Sequence, residues 1–225
     1  MSPVARMPES SGGSREKILD VAESLFARRG FAGVGLREIA QAVGLGKSSL
    51  FHHFDGKAQL YLVVLGRVLG RIEGRLGGAL ASEGTAMQRL DRWIEALIDA
   101  FAETPPSARL LLRGLVEDEQ LPPEAEALPE FAAVNDTLDR ILAGVYRLLV
   151  EGQRAGEIRT GSPPQMIQTL IGAVVYHFAS GELGERVLGA PLLSAESVRE
   201  RKAELVRLFH TGIAACPGPR QEDPS

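Results

Sequence analysis

The sequence predicts an all-α protein in two parts, a small N-terminal three-helix module followed by a larger helical domain. Three observations predict this. Apolar residues recur at helical spacing along most of the chain, and no stretch shows sustained period-two alternation. Glycines and prolines cut the pattern into pieces of helix length. Near the N-terminus two short periodic segments are joined by Gly44-Leu45-Gly46, the signature of a helix-turn-helix.

The elements follow in order. Residues 1–13 lack the apolar core of a signal peptide and read as a disordered lead-in. A first helix spans 14–29 and stops at Gly30-Phe31. A second, 36–43, carries Leu36, Ile39, Ala40 and Val43 on one face. Gly44 ends it, because glycine readily adopts the positive φ of a helix C-terminus. Leu45 fills the corner, and Gly46 is a tolerable N-cap for the next helix. That helix buries Leu50 and Phe54 and leaves Lys47, Ser48, Ser49, His52 and His53 on its other side. Small polar, basic and imidazole groups on so short a helix suit a DNA major groove.

A long helix over 57–81 shows Leu60, Val64, Val68, Ile72 and Leu76 on one face. Its glycines at 66, 70, 74, 77 and 78 each cost about 1 kcal/mol against alanine, which points to close packing or bending. The next helix, 85–103, has the stripe Leu90, Trp93, Leu97 and Phe101. Pro105-Pro106 breaks the chain, and Ser107 is placed to cap a helix over 108–117. Residues 118–129 form an acidic, proline-bearing connector. A helix over 130–156 follows, then one from Ser162-Pro163-Pro164 to 180, and a last over 195–213. Residues 216–225 read as a disordered tail.

Charge is uneven along the chain. Residues 1–70 hold nine Lys or Arg and six Asp or Glu, a net 9 − 6 = +3, against 16 − 23 = −7 for the remainder. A basic end on an acidic protein suggests that only that end meets a polyanion. One cysteine, Cys216, precludes an internal disulfide and suits a reducing, cytoplasmic setting. No apolar run is long enough to span a bilayer, so no membrane partner is expected.

The segments Ile39-Ala40-Gln-Ala-Val-Gly44-Leu45 and Leu50-Phe51-His-His-Phe54-Asp-Gly-Lys57, preceded by Gly30-Phe31, resemble the DNA-binding half of the TetR family of transcriptional regulators. The Gly156-Glu-Ile-Arg159 exit is similar to the family too. Gly35, Gly46 and Phe51 depart from the usual Ser or Thr, Ser, and Tyr. The resemblance implies a DNA-binding domain over 14–60 and an effector-binding and dimerisation domain over 61–215. It implies that Arg37, Lys47, Ser48, Ser49 and His52 face bases or adjacent phosphates, and that Phe51, His53 and Lys57 lie against the sugar-phosphate backbone. It further implies a homodimeric repressor of double-stranded DNA with a near-palindromic operator, released by a small apolar effector.

The residues themselves suggest Trp93, Phe101, Arg113, Tyr146 and His177 as effector-lining candidates, with structural packing the competing reading for each. The wide apolar stripes of the last two long helices suggest a dimer interface. Its candidates are Ile167, Leu170, Ile171, Val174, Val175, Phe178, Val198, Leu205 and Phe209. Adjacent His52 and His53 point apart on a helix, which argues against a metal pair. There is no nucleophile motif, phosphate-cradling glycine loop or metal-spaced cluster, so no catalytic residue, metal or cofactor is expected. The rival reading is a helical protein-interaction bundle without DNA binding, which accounts for the helices but not for the exposed polar pattern at 47–53.

Overall fold

The computed structural model describes residues 11–115 and 121–213. Among them the regular structure is helical: α1 (Ser11–Arg29), α2 (Leu36–Val43), α3 (Lys47–Phe51), α4 (Lys57–Ala81), α5 (Ala86–Glu103), α6 (Pro106–Leu115), a 3-10 turn (Pro123–Ala127), α7 (Pro129–Arg154), α8 (Pro163–Ala179), α9 (Glu182–Leu188) and α10 (Ala195–Ile213). The chain divides into two compact units. One comprises Met1–Leu69 with Pro106–Asp136, the other Gly70–Pro105 with Thr137–Ser225. Cys216 and the rest of the expected tail, and all but residues 11–13 of the expected lead-in, lie outside the described residues.

In the first unit, α1 packs on α2 and α6, and α2 on α3. Ile18, Ala22, Phe26, Ile39, Leu50, Phe54, Leu60 and Tyr61 form its core. The Tyr61 ring meets Phe26 edge-on at 5.0 Å and Phe31 at 5.3 Å, favourable aromatic geometry at the junction of α1 and α4. Arg67 of α4 binds Asp20 at 2.6 Å and Glu16 at 3.4 Å, two acidic residues one turn apart on α1.

Residues beyond Pro105 thus complete the core of the N-terminal unit. Pro106 occupies the first turn of α6, where its missing N–H costs nothing. Ser107 therefore lies inside the helix and is not its N-cap as expected. Its buried hydroxyl donates to the buried Glu23 carboxylate of α1 at 3.2 Å. Gly114 lets α6 approach α4 closely, since a Cβ there would meet Tyr61 Oη at 2.9 Å and Leu65 at 3.0 Å.

In the second unit, α5 packs against α8 and α10 around Trp93, Leu97, Phe101, Val174, Leu205 and Phe209. Thr85 opens α5 with a reciprocal capping box to Gln88. Lys202 and His210 of α10 pair with Asp99 and Asp91 of α5, at 2.6 and 2.8 Å. The Gly156-Glu-Ile-Arg159 segment is a structural clasp. Glu157 accepts from Met87 N in the first turn of α5, Ile158 is buried, and Arg159 donates from N and Nε to the carbonyls of Ile213 and Gly212, both at 2.7 Å.

Two features differ from the sequence reading. The glycines at 70, 74, 77 and 78 have nothing within 4 Å of where a Cβ would stand, so they do not mark close packing, and α4 continues through them to Ala81. The seven-residue α9 was not expected, because its Leu183, Val187 and Leu188 are all exposed and give it no buried face.

Candidate nucleic-acid interface

The helix-turn-helix is built on a three-sided hydrophobic anchor: Ile39 and Ala40 of α2, Leu50 of α3 and Phe54 just beyond it are all buried. Gly44 closes α2 with φ +75° and ψ 24°, and the Leu45 N–H returns to Ala40 O at 2.8 Å. This left-handed stop turns the chain sharply and delivers α3. Gly35 and Gly46 take the N-cap positions in extended conformations, with no side chain to accept from the exposed helix N–H groups.

The anchor leaves the opposite side free. Arg37 of α2, Ser48 and Phe51 of α3, and His52, which follows as its C-cap, are exposed; Ser49 and His53 are half-buried. Phe51 is 40% exposed. Lys47 opens α3. Seven of the eight expected DNA-facing residues thus fall between Arg37 and His53 on the helix-turn-helix.

The eighth, Lys57, has a different setting. Its Nζ donates to Val34 O at 3.1 Å and lies 4.2 Å from the centre of the Phe31 ring. It is a clamp on the turn before α2, a use with no local signature because its partners lie more than twenty residues upstream. Arg15 lies over Phe54 at 5.2 Å, and Arg29 pairs with Glu38 across the α1–α2 turn.

The expected effector residues do not gather in one place. Trp93 and Phe101 are buried in the second unit, Phe101 5.9 Å from Phe178, while Tyr146 is largely exposed on α7. Arg113 is half-buried on α6 of the first unit. His177 alone of the five lines a half-open groove of about 410 Å³ among α8, α9 and α10, with Leu188, Ser197, Arg201, Glu204 and Arg207. Burial pushes the His177 imidazole down to about 4, with the neighbouring Arg201 guanidinium adding to the effect. The Trp93 indole Nε1 is buried and finds no hydrogen-bond partner among the described residues.

Of the residues expected at a dimer interface, Ile167, Leu170, Val174, Phe178, Leu205 and Phe209 are buried within the second unit itself. Ile171, Val175 and Val198 are half-buried. The stripes are wide because these helices already cover α5. The apolar side chains left exposed are others: Tyr176 on α8, Leu183, Val187 and Leu188 on α9, Leu193, and Leu208 on α10. Among the described residues no helix is long and apolar enough to cross a membrane, and no His, Cys, Asp and Glu side chains are grouped to hold a metal.

Residues 18–64 match the family described as bacterial regulatory proteins, tetR family. The HTH-type transcriptional activator FasR of Mycolicibacterium smegmatis is 32% identical over 100 residues, 44% of this chain and 46% of that protein. The HTH-type transcriptional repressor KstR2 of Rhodococcus jostii is 41% identical over 58 residues, 26% of this chain and 28% of that protein. The chain thus spans about half or less of the length of the curated relatives it matches. In three dimensions it is similar to AibR, solved in complex with isovaleryl coenzyme A and operator DNA, with a TM-score of 0.69 at 17% identity over 87% of this chain and 97% of that one. The helix-turn-helix segment over residues 18–64 thus matches the TetR family, and the chain shares its helical fold with AibR.

Proposed function

We propose that this chain is a sequence-specific DNA-binding transcriptional regulator, acting as a homodimeric repressor that a small, largely apolar effector releases from a near-palindromic operator. One observation carries the reading. The buried anchor of Ile39, Leu50 and Phe54 orients Arg37, Ser48, Phe51 and His52 outward on one short helix-turn-helix, polar and aromatic groups in the register a major groove accepts. Lys47, Ser49 and His53 complete the contact set, and Lys57 joins it by dividing its ammonium donors between a phosphate and the Val34 carbonyl.

The dimer in this reading uses the exposed apolar residues of α8, α9 and α10, since the buried ones serve the protomer core. The effector enters the second unit, where Trp93, Phe101, Tyr146 and His177 are the proposed lining. The unpartnered Trp93 N–H favours a ligand that brings a hydrogen-bond acceptor along with its apolar body. AibR, which binds an acyl-coenzyme A, has that combination in its ligand.

The experiment is selection of duplexes from a random pool by the purified protein at low salt, followed by binding titrations at several salt concentrations. The expected result is enrichment of an inverted repeat whose affinity falls steeply with salt. Retention of no duplex above background would overturn the reading.

A further inference from the structure

Gln59, in the first turn of α4, uses both ends of its amide. Its Oε1 accepts from the backbone N–H of Asp55 at 2.7 Å, and its Nε2 donates to Glu130 Oε1 at 2.9 Å. Asp55 lies in the turn that follows the recognition helix, between buried Phe54 and the seated Lys57. Glu130 lies in the first turn of α7, 71 residues further along the chain but in the same compact unit. The second oxygen of Glu130, Oε2, is buried and accepts no hydrogen bond among the described residues. The Glu130 carboxylate thus takes its hydrogen bond from Gln59, and a part-buried acceptor deprived of its donor is unfavourable.

We propose that Gln59 is a positioning residue for DNA recognition, tying the turn that ends the recognition helix to the first turn of α7. The inference rests on the DNA-binding reading and adds a residue outside the expected contact set. Leu50 and Phe54 hold α3 from inside, and the backbone bonds at its exit are all local: His52 N–H to Ser48 O at 3.1 Å, and His53 and Phe54 N–H to Leu50 O at 3.0 and 3.1 Å. A side chain that grips the next peptide N–H and is itself gripped by another helix fixes the pitch of Ser48, Phe51 and His52 toward the groove. Displacement of the first turn of α7 from Gln59 is thereby transmitted to the recognition helix.

Three variants separate this tie from local capping and from charge. Gln59→Glu keeps an acceptor for the Asp55 N–H but sets a carboxylate against Glu130. Glu130→Gln keeps an acceptor oxygen for Gln59. The double variant restores the pair with roles reversed, the amide at 130 donating to the carboxylate at 59. Amide hydrogen exchange over residues 52–60 is measured in the free protein, and binding is measured with a duplex selected by the wild type.

Gln59→Glu is expected to speed exchange in that turn about tenfold and weaken binding about tenfold, with an unchanged salt slope. Glu130→Gln should match the wild type, and the double variant should recover both properties to within about twofold. Unchanged exchange in Gln59→Glu overturns the proposal. So does a double variant that stays impaired, because the loss then comes from the local turn or the added charge. If exchange follows the expected pattern but the wild type selects no duplex, the tie stands and the DNA-binding reading is the part that fails.

Discussion

Lys57 Nζ donates to the backbone carbonyl of Val34 at 3.1 Å, so the first turn of α4 is fastened to the residue just before the helix-turn-helix begins. The same ammonium lies over the Phe31 ring, and a half-buried charged donor in such a seat contributes on the order of 1 kcal/mol. Lys57→Ala should therefore lower the urea midpoint as well as DNA affinity. Arg37→Ala, at an exposed position, should weaken DNA binding and leave the midpoint where it is. Identical midpoints for wild type and Lys57→Ala would show that the clamp carries no stability.

The glycines fall into two groups with opposite expected effects. Gly44 has φ +75°, so alanine there should cost about 1 kcal/mol through backbone strain. Gly74 is in mid-helix with nothing within 4 Å of a new Cβ, and alanine there should stabilise by roughly 0.5–1 kcal/mol. Gly35 and Gly46, with φ of −104° and −69°, accept side chains, and Gly35→Thr or Gly46→Ser should add a capping hydroxyl and roughly 0.5 kcal/mol. Denaturant titration of the four variants checks the signs, and a stabilised Gly44→Ala would contradict the turn geometry.

Core and interface are separable by substitution. Val174→Asp and Phe209→Asp place a charge in the packing of α8 and α10 on α5 and should leave little folded protein. Val187→Asp with Leu208→Asp alters residues that are 78% and 54% exposed, and should give a folded protomer with the wild-type helical signal that no longer dimerises. Sedimentation with circular dichroism reads both. A double variant that sediments as the wild type does would move the proposed interface elsewhere.

His177 makes stability depend on pH. Its folded-state value, about 4, lies below the ordinary 6.5, so between these the unfolded chain binds more protons than the folded one. Stability should then fall as pH drops from about 6.5 to about 4. The group is only partly buried, so solvent screening reduces the expected loss to roughly 1 kcal/mol. His177→Gln should flatten the profile in that window while leaving the neutral-pH midpoint close to the wild type, as thermal melts across the range would show.

Trp93 is the single tryptophan, which makes it a reporter for the second unit. Being 1% exposed, it should emit at short wavelength in the native protein and shift to the red on unfolding. Small, largely apolar compounds that carry a hydrogen-bond acceptor are the first effectors to titrate. Quenching that accompanies release of the selected duplex would support the proposed lining, whereas release with an unchanged spectrum would remove Trp93 from it.

The sequence by itself determined the helices and the helix-turn-helix. Periodicity and glycine stops are local properties, which is why 57–81 and 195–213 coincide with α4 and α10 and why Gly44 is the left-handed stop it was read to be. Burial of Leu50 and Phe54 against exposure of Ser48 and His52 was equally legible, because a helix too short to be buried all round must choose a face. What only the tertiary structure decided is which partners each face meets. An apolar stripe does not say whether it covers its own protomer or a second copy, and Val174 and Phe209 turned out to cover α5. A polar residue does not announce a partner far along the chain. Ser107 meeting Glu23, Lys57 meeting Val34 and Gln59 meeting Glu130 all depend on how helices distant in sequence are brought together, and no spacing rule contains that information.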